Sequence, residues 1–179
     1  GEASFFGYTF RVNSAVLIPR PETELLVEWV LEQSNLPSGA KLLDIGTGSG
    51  CIPITVALQN SEIACSGIDL SADALEVARL NATSLGASVR FSQLDLFSES
   101  FVSELDVPFD VLISNPPYIP DSESVTLSTE VRDHEPGLAL FCGTDRLLFY
   151  RKIAELAPLV LKKAGKIAVE VHADFGSDV

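Results

Sequence analysis

The chain has 179 residues, 46% of them hydrophobic and 21% charged, which fits one folded, globular domain and not a disordered chain. Its 25 acids against 12 bases give a formal charge of −13, so it is not expected to grip a nucleic-acid backbone by itself, because phosphate binding needs clustered Lys and Arg. No apolar run approaches the ~20 residues of a membrane span, and no signal peptide is recognisable. The sequence starts at Gly1 and contains no Met, so it reads as a piece of a longer protein. Cys51, Cys65 and Cys142 form no CxxC pair and read as reduced, small buried hydrophobes. His134 and His172 stand in no metal-ligand spacing, and no metal is expected.

Residues 1–40 read as a lead-in segment and a helix. Within "SAVLIPRPETELLVEWVLEQ", Pro21 opens the helix, and Glu22 and Glu24 suit its positive end. Trp29 reads as core packing. "KLLDIG" (41–46) is a strand, and "SGCIPITVALQN" (49–60) a helix in which Pro53 is tolerable because it lies in the first turn. "ACSGIDL" (64–70) is a second strand. Ser71 caps a helix over 72–86, which Gly86 ends. "VRFSQLDLF" (89–97) and "FDVLISN" (109–115) are further strands. A long amphipathic helix over 145–165, kinked or broken at Pro158, leads to "KIAVEVH" (166–172) as a fifth strand. Alternating strands and helices predict an α/β domain over 1–179, a parallel sheet with helices on both faces.

Two segments carry chemistry. "LLDIGTGSG" (42–50) is a glycine-rich strand-to-helix turn that lets backbone approach a ligand closely. Asp69 ends the next strand, where a carboxylate can accept both ribose hydroxyl hydrogens. The pair points to an adenosine-containing cofactor, although the glycine spacing alone fits NAD sites as well. The third glycine falls one residue early for an NAD fingerprint, and Asp44 sits in the strand end. The second segment is "ISNPPYIP" (113–120). Two prolines remove two backbone donors and stiffen the exit from a core strand. Asn115 before them is a hydrogen-bond acceptor, and Tyr118 after them can stack on a flat group.

"LDIGTGSG" resembles the first motif of class I S-adenosylmethionine-dependent methyltransferases. In those with Asn-Pro-Pro-Tyr after the fourth strand, the acceptor is a planar nitrogen, an amide or an exocyclic amine. "FFGYTFRVNSAVLIPRPETELLVE" (5–28), "LLDIGTGSGCI" (42–52), "ISNPPYIP" (113–120) and "EVRDHEPGLALFCG" (130–143) occur in that order. Together they resemble the release factor glutamine methyltransferase family, also called HemK or PrmC, over essentially the whole chain, with "IPRPETE" the most discriminating piece. The resemblance implies a Rossmann-like doubly wound sheet of order 3-2-1-4-5. It also implies a family N-terminal helical domain and final antiparallel strands that this sequence lacks, which would leave the fifth strand at an edge.

By the same resemblance, Gly46, Thr47, Gly48, Ser49, Gly50 and Asp69 bind S-adenosylmethionine, with S-adenosylhomocysteine as product. Leu96, after Asp95, lines the adenine, where the family often has an aromatic residue. Asn115, Pro116, Pro117 and Tyr118 hold a substrate glutamine. Asn115 and the Pro116 carbonyl accept its two amide hydrogens, Asn115 also contacts the cofactor, and Asn115, Pro116 and Tyr118 carry the catalysis. Arg20, Glu22 and Thr23 lie near the methionine end of the cofactor. Glu135 and Pro136 shape the wall, and His134 is a surface residue. The implied substrate is the glutamine of the Gly-Gly-Gln loop of peptide chain release factors, in the cytoplasm, with no membrane or direct nucleic-acid contact. The rival readings are adenine-N6 methylation of DNA or RNA, a non-catalytic cofactor-binding fragment and, remotely, an NAD-dependent oxidoreductase.

Overall fold

The computed structural model describes residues 1–33, 35–126, 135–172, 176 and 179. Two strands that the sequence reading did not anticipate open the chain. β1 (Glu2–Phe5) and β2 (Tyr8–Arg11) pair antiparallel. Phe6 and Gly7 between them have φ of 51° and 78°, the mirror-image turn whose twist matches that of the strands. Phe5 and Phe10 are fully buried and meet edge to face, 6.0 Å between ring centres. The lead-in is therefore part of the core.

A 3-10 turn over Pro21–Thr23 feeds α1 (Glu24–Leu31). Then come β3 (Lys41–Ile45), α2 (Cys51–Gln59), β4 (Ala64–Asp69), α3 (Ala72–Leu85), β5 (Val89–Gln93) and β6 (Phe109–Ser114). The short α4 (Gly137–Leu140), α5 (Leu148–Val160) and β7 (Leu161–Val169) follow. The last five strands pair in parallel in the order β5-β4-β3-β6-β7. This is the expected 3-2-1-4-5 of a Rossmann-like sheet. The winding reverses between β3 and β6, where a crevice opens at the carboxyl ends of the strands.

Alternation along the central strands supplies both faces. Leu42, Val111 and Ile113 pack with the hairpin, α1 and α2, through Phe10, Val27 and Ile54. Leu43, Ile45 and Leu112 pack the other way, against Ile153, Leu156 and Val160 of α5. Ser71 caps α3 through a hydrogen bond from the Ala74 amide, and Gly86, at φ 72°, ends it. Cys51, Cys65 and Cys142 are buried thiols, as expected.

Three elements depart most in their boundaries from the sequence reading. β5 ends at Gln93 rather than 97, because the Asp95 carboxylate accepts the Phe97 amide and turns the chain. α5 begins at Leu148 rather than 145, after Asp145 captures the Leu147 amide. It ends at Val160, within a turn of Pro158, and Leu161 is already extended. β7 therefore begins five residues earlier than expected and ends at Val169. Its register slips between Phe109 and Val111, so Lys162–Gly165 form a bulge. Gly165 belongs there, since a Cβ would lie 2.9 Å from that of Leu161. Among the described residues β7 pairs only with β6, at the sheet edge.

Candidate active site

The glycine-rich turn leaves β3 and crosses beneath the end of β4. The Gly46 and Thr47 amides both donate to the Ile68 carbonyl at 2.9 Å, and the Gly50 amide donates to the Thr47 carbonyl at 2.8 Å. The Gly48 amide donates to Asp69 Oδ2 at 2.9 Å. Four of the five amides from Gly46 to Gly50 are thus committed within the protein. Pro53, in the first turn of α2, offers none. A pyrophosphate is held by free amides at such a turn, so this one is poorly equipped for a dinucleotide. Gly46 and Gly48, at φ 73° and 54°, face open space where a Cβ would meet nothing within 4 Å. Gly50 differs. Its missing Cβ would strike Ile54 at 2.9 Å and Ala78 and Phe91 at 3.1 Å, so it serves close packing and does not line the cleft.

Asp69 serves the turn and the cleft together. Its Oδ2 takes the Gly48 amide, and its Oδ1 takes the Ser71 amide at 2.9 Å. Each carboxylate oxygen keeps a second lone pair, and the residue lines the cleft. Ile68, Leu70, Leu94, Leu96 and Phe97 give the adjoining apolar wall. A carboxylate with spare acceptors beside an apolar wall and side-chain-free backbone fits an adenosine-bearing ligand without phosphates. Behind the turn, Asp44 is fully buried. Neither carboxyl oxygen of Asp44 reaches a hydrogen-bond partner among the described residues, and the buried Thr47 hydroxyl has none either. Burial, reinforced by the charge of Asp69, pushes the Asp44 pKa from 3.8 to about 7 against the pull of Thr47.

The other wall comes from the exit of β6. Asn115, Pro116 and Pro117 line the same cleft as Gly46, Gly48, Asp69 and Leu96. Asn115 Nδ2 donates to Thr23 Oγ1 at 3.2 Å, and Thr23 Oγ1 donates to Glu170 Oε2 at 2.6 Å. Glu170 is placed by its own backbone, because its amide extends the β6–β7 ladder to the Ser114 carbonyl at 3.0 Å. Burial raises its pKa, while the Thr23 hydrogen bond and the neighbouring Asn115 amide work the other way. Tyr118 lies outside the cleft lining. Its ring meets His172 edge to face at 5.7 Å, and burial, together with the charge of Glu170, raises its phenol pKa.

The structure gives the other sequence-predicted residues definite places. Arg20 Nη2 bonds both carboxylate oxygens of Glu135, at 2.7 and 2.9 Å, and Glu135 is buried. Arg20, Thr23 and Pro136 line the cleft, whereas Glu22 does not. Ser49 and Thr47 also line it, both nearly buried. His134 lies outside the described residues. Sequence reasoning missed Glu170 as a site residue. Its signal was faint, a single acid in the apolar alternation "KIAVEV", and its meaning depends on register with Ser114.

The chain belongs to the methyltransferase small domain family, whose model matches residues 21–131. It is similar to the release factor glutamine methyltransferase of Chlorobaculum tepidum, 49% identical across 100% of this chain and 63% of that protein. The Bacillus subtilis release factor glutamine methyltransferase is 46% identical, again over 100% of this chain and 63% of its own length. The chain thus spans a little under two thirds of the curated relatives it matches. Among solved structures, TrmN from Thermus thermophilus aligns with a TM-score of 0.57 at 22% identity, over 83% of this chain and 40% of that one. A precorrin-8w decarboxylase from Methanobacterium thermoautotrophicum gives 0.60 at 13% identity, over 94% and 73%. These two bear on the fold alone.

Proposed function

We propose that residues 1–179 form the catalytic unit of an S-adenosylmethionine-dependent methyltransferase acting on the side-chain amide of a glutamine, that of the Gly-Gly-Gln loop of a peptide chain release factor. The observation that carries this reading is the placement of Asn115 and its rigid Pro116-Pro117 exit on the same cleft as Gly46, Gly48 and Asp69. The names of the relatives support the substrate. When bound, S-adenosylmethionine supplies an electrophilic methyl group.

The chain's own residues do the rest. Gly46 and Gly48 admit the cofactor against bare backbone, Asp69 accepts its ribose hydroxyls, and Leu96 packs on the adenine. An amide nitrogen is a poor nucleophile, because its lone pair is delocalised into the carbonyl. Asn115 Oδ1 and the Pro116 carbonyl accept the two hydrogens of the substrate amide, which fixes the nitrogen with one face toward the methyl group. The same acceptors stabilise the positive charge that grows on nitrogen during transfer. The proton then leaves to water, since the methylated amide nitrogen is strongly acidic, and no protein base is required. The setting is the cytoplasm, where release factors act, and no helix among the described residues is long and apolar enough to cross a membrane.

The test incubates the chain with methyl-labelled S-adenosylmethionine and three acceptors: a release factor, the same factor with its Gly-Gly-Gln glutamine replaced, and an adenine-containing oligonucleotide. Label in the first acceptor alone is the expected result. Label in the oligonucleotide would transfer the assignment to adenine-N6 chemistry, and label in none would leave a binding fragment.

A further inference from the structure

The hydrogen bonds between Asn115, Thr23 and Glu170 have a direction, and the direction has a consequence for the reaction. An ionised carboxylate only accepts hydrogen bonds, and a hydroxyl carries one proton. At 2.6 Å from Oε2 the Thr23 proton is committed to Glu170. Toward Asn115, 3.2 Å away, Thr23 can then only accept. Asn115 must present its NH₂ to Thr23, which turns Oδ1 to the opposite side of the carboxamide.

We infer that Glu170, acting through Thr23, is a positioning residue that fixes the Asn115 carboxamide with its oxygen toward the substrate nitrogen. The inference rests on the function proposed above. A carboxamide has two nearly isosteric orientations. With Asn115 flipped, its NH₂ would face the NH₂ of the substrate, donor against donor, and the acceptor that orients the nucleophile would be lost. Glu170 removes that orientation from the ensemble. Thr23 is 3% exposed, so water does not compete for its proton. The three residues come from the turn before α1, the exit of β6 and the end of β7, so the packed sheet holds them in register.

Two pairs of variants separate this role from a structural one. Glu170→Gln keeps the shape but can donate or accept, which makes both orientations of Asn115 possible. Thr23→Val keeps the shape without the hydroxyl, and Thr23→Ser restores it. The expected result is a fall in kcat of about 10- to 100-fold in E170Q and T23V. Cofactor Kd changes far less than kcat, Tm falls by what one lost buried hydrogen bond costs, and T23S recovers most of the rate and of the Tm. The double variant T23V/E170Q should be no slower than either single one, because both break the same chain.

A second readout needs neither cofactor nor acceptor. The side-chain NH₂ pair of Asn115 in a ¹⁵N-correlation spectrum, identified by its loss in N115A, should shift in both E170Q and T23V and return in T23S. Unchanged kcat and unchanged Asn115 resonances in E170Q and T23V would overturn the inference. If the wild-type chain labels no glutamine at all, the proposed function fails, and the spectra still decide whether Glu170 orients Asn115.

Discussion

At the scale of single residues, the proposed function divides the site into groups that would touch ligands and groups that hold those groups still. Asn115 belongs to the first set. Asn115→Ala should keep the fold and the cofactor affinity but lower kcat by on the order of 10²–10³, the usual loss for one preorganised hydrogen-bonding group. Asp69 belongs to both sets, which changes the experiment that probes it. Alanine there would also release the Gly48 and Ser71 amides. Asp69→Asn keeps the size and one acceptor oxygen but puts a donor where the other oxygen sits. Cofactor affinity measured by calorimetry should fall ~10- to 100-fold. An unchanged Kd, or tight NAD binding instead, would contradict the role.

Asp44 makes a residue-scale prediction about stability. In the folded chain its pKa rises from 3.8 to about 7. Between those values the folded state binds more protons than the unfolded one, so stability falls as pH rises. Urea unfolding at about pH 5 and about pH 8 should show the wild type losing on the order of 2 kcal/mol more than Asp44→Asn over that interval. Equal losses would mean that Asp44 is ionised in the fold. Asp44 was visible in the sequence as an acid at a strand end, but its complete burial was not, because that depends on α2 closing over it.

At the scale of elements, the unanticipated hairpin is the informative failure. "ASFFGYTFR" contains an aromatic-rich run on both sides of a glycine, which is the pattern of a two-residue turn. It went unread because Phe6, not Asn or Asp, takes the first positive φ. The hairpin is tied to the cofactor turn by one side chain. Asn81 of α3 accepts the Arg11 amide at 2.8 Å, donates to the Arg11 carbonyl at 3.1 Å and donates to the Ser49 carbonyl at 2.9 Å. Asn81→Ala would leave the buried Ser49 carbonyl unsatisfied and take the partner from the partly buried Arg11 amide and carbonyl. We expect a loss of about 1–3 kcal/mol in unfolding free energy, the cost of the one buried group left unpaired. Cofactor affinity should weaken as well, because Ser49 is released. Wild-type stability with wild-type affinity would mean that the hairpin does not brace the turn.

The segment "IPRPETE" shows the opposite case, where a motif was legible but its division of labour was not. Arg20 pairs with Glu135, Thr23 joins Asn115 to Glu170, and Glu24 accepts the Phe6 amide of the hairpin turn at 2.7 Å. Three neighbouring polar residues thus bind three distant elements. Local reasoning sees only a helix start there, since each partner is at least 18 residues away. The parallel strands were legible for the converse reason. Their apolar runs and glycine exits are local, and the winding rules leave few ways to order them. The ends of β5 and β7 were not, because an Asx turn at Asp95 and a bulge at Gly165 override the apolar pattern.

At the scale of the whole molecule, the fold brings the glycine-rich turn and the Asn115-Pro116-Pro117 exit to the same cleft, at the point where the sheet reverses its winding. A formal charge of −13 works against binding the phosphates of an oligonucleotide, and the acceptor proposed above is a protein. The central claim is the identity of the methylated atom. The direct measurement is mass-spectrometric peptide mapping of a release factor incubated with the chain and S-adenosylmethionine. One added methyl on the side chain of the Gly-Gly-Gln glutamine, absent when N115A replaces the wild type, is the predicted result. A methyl group on any other residue, or the same modification by N115A at the wild-type rate, would contradict the account.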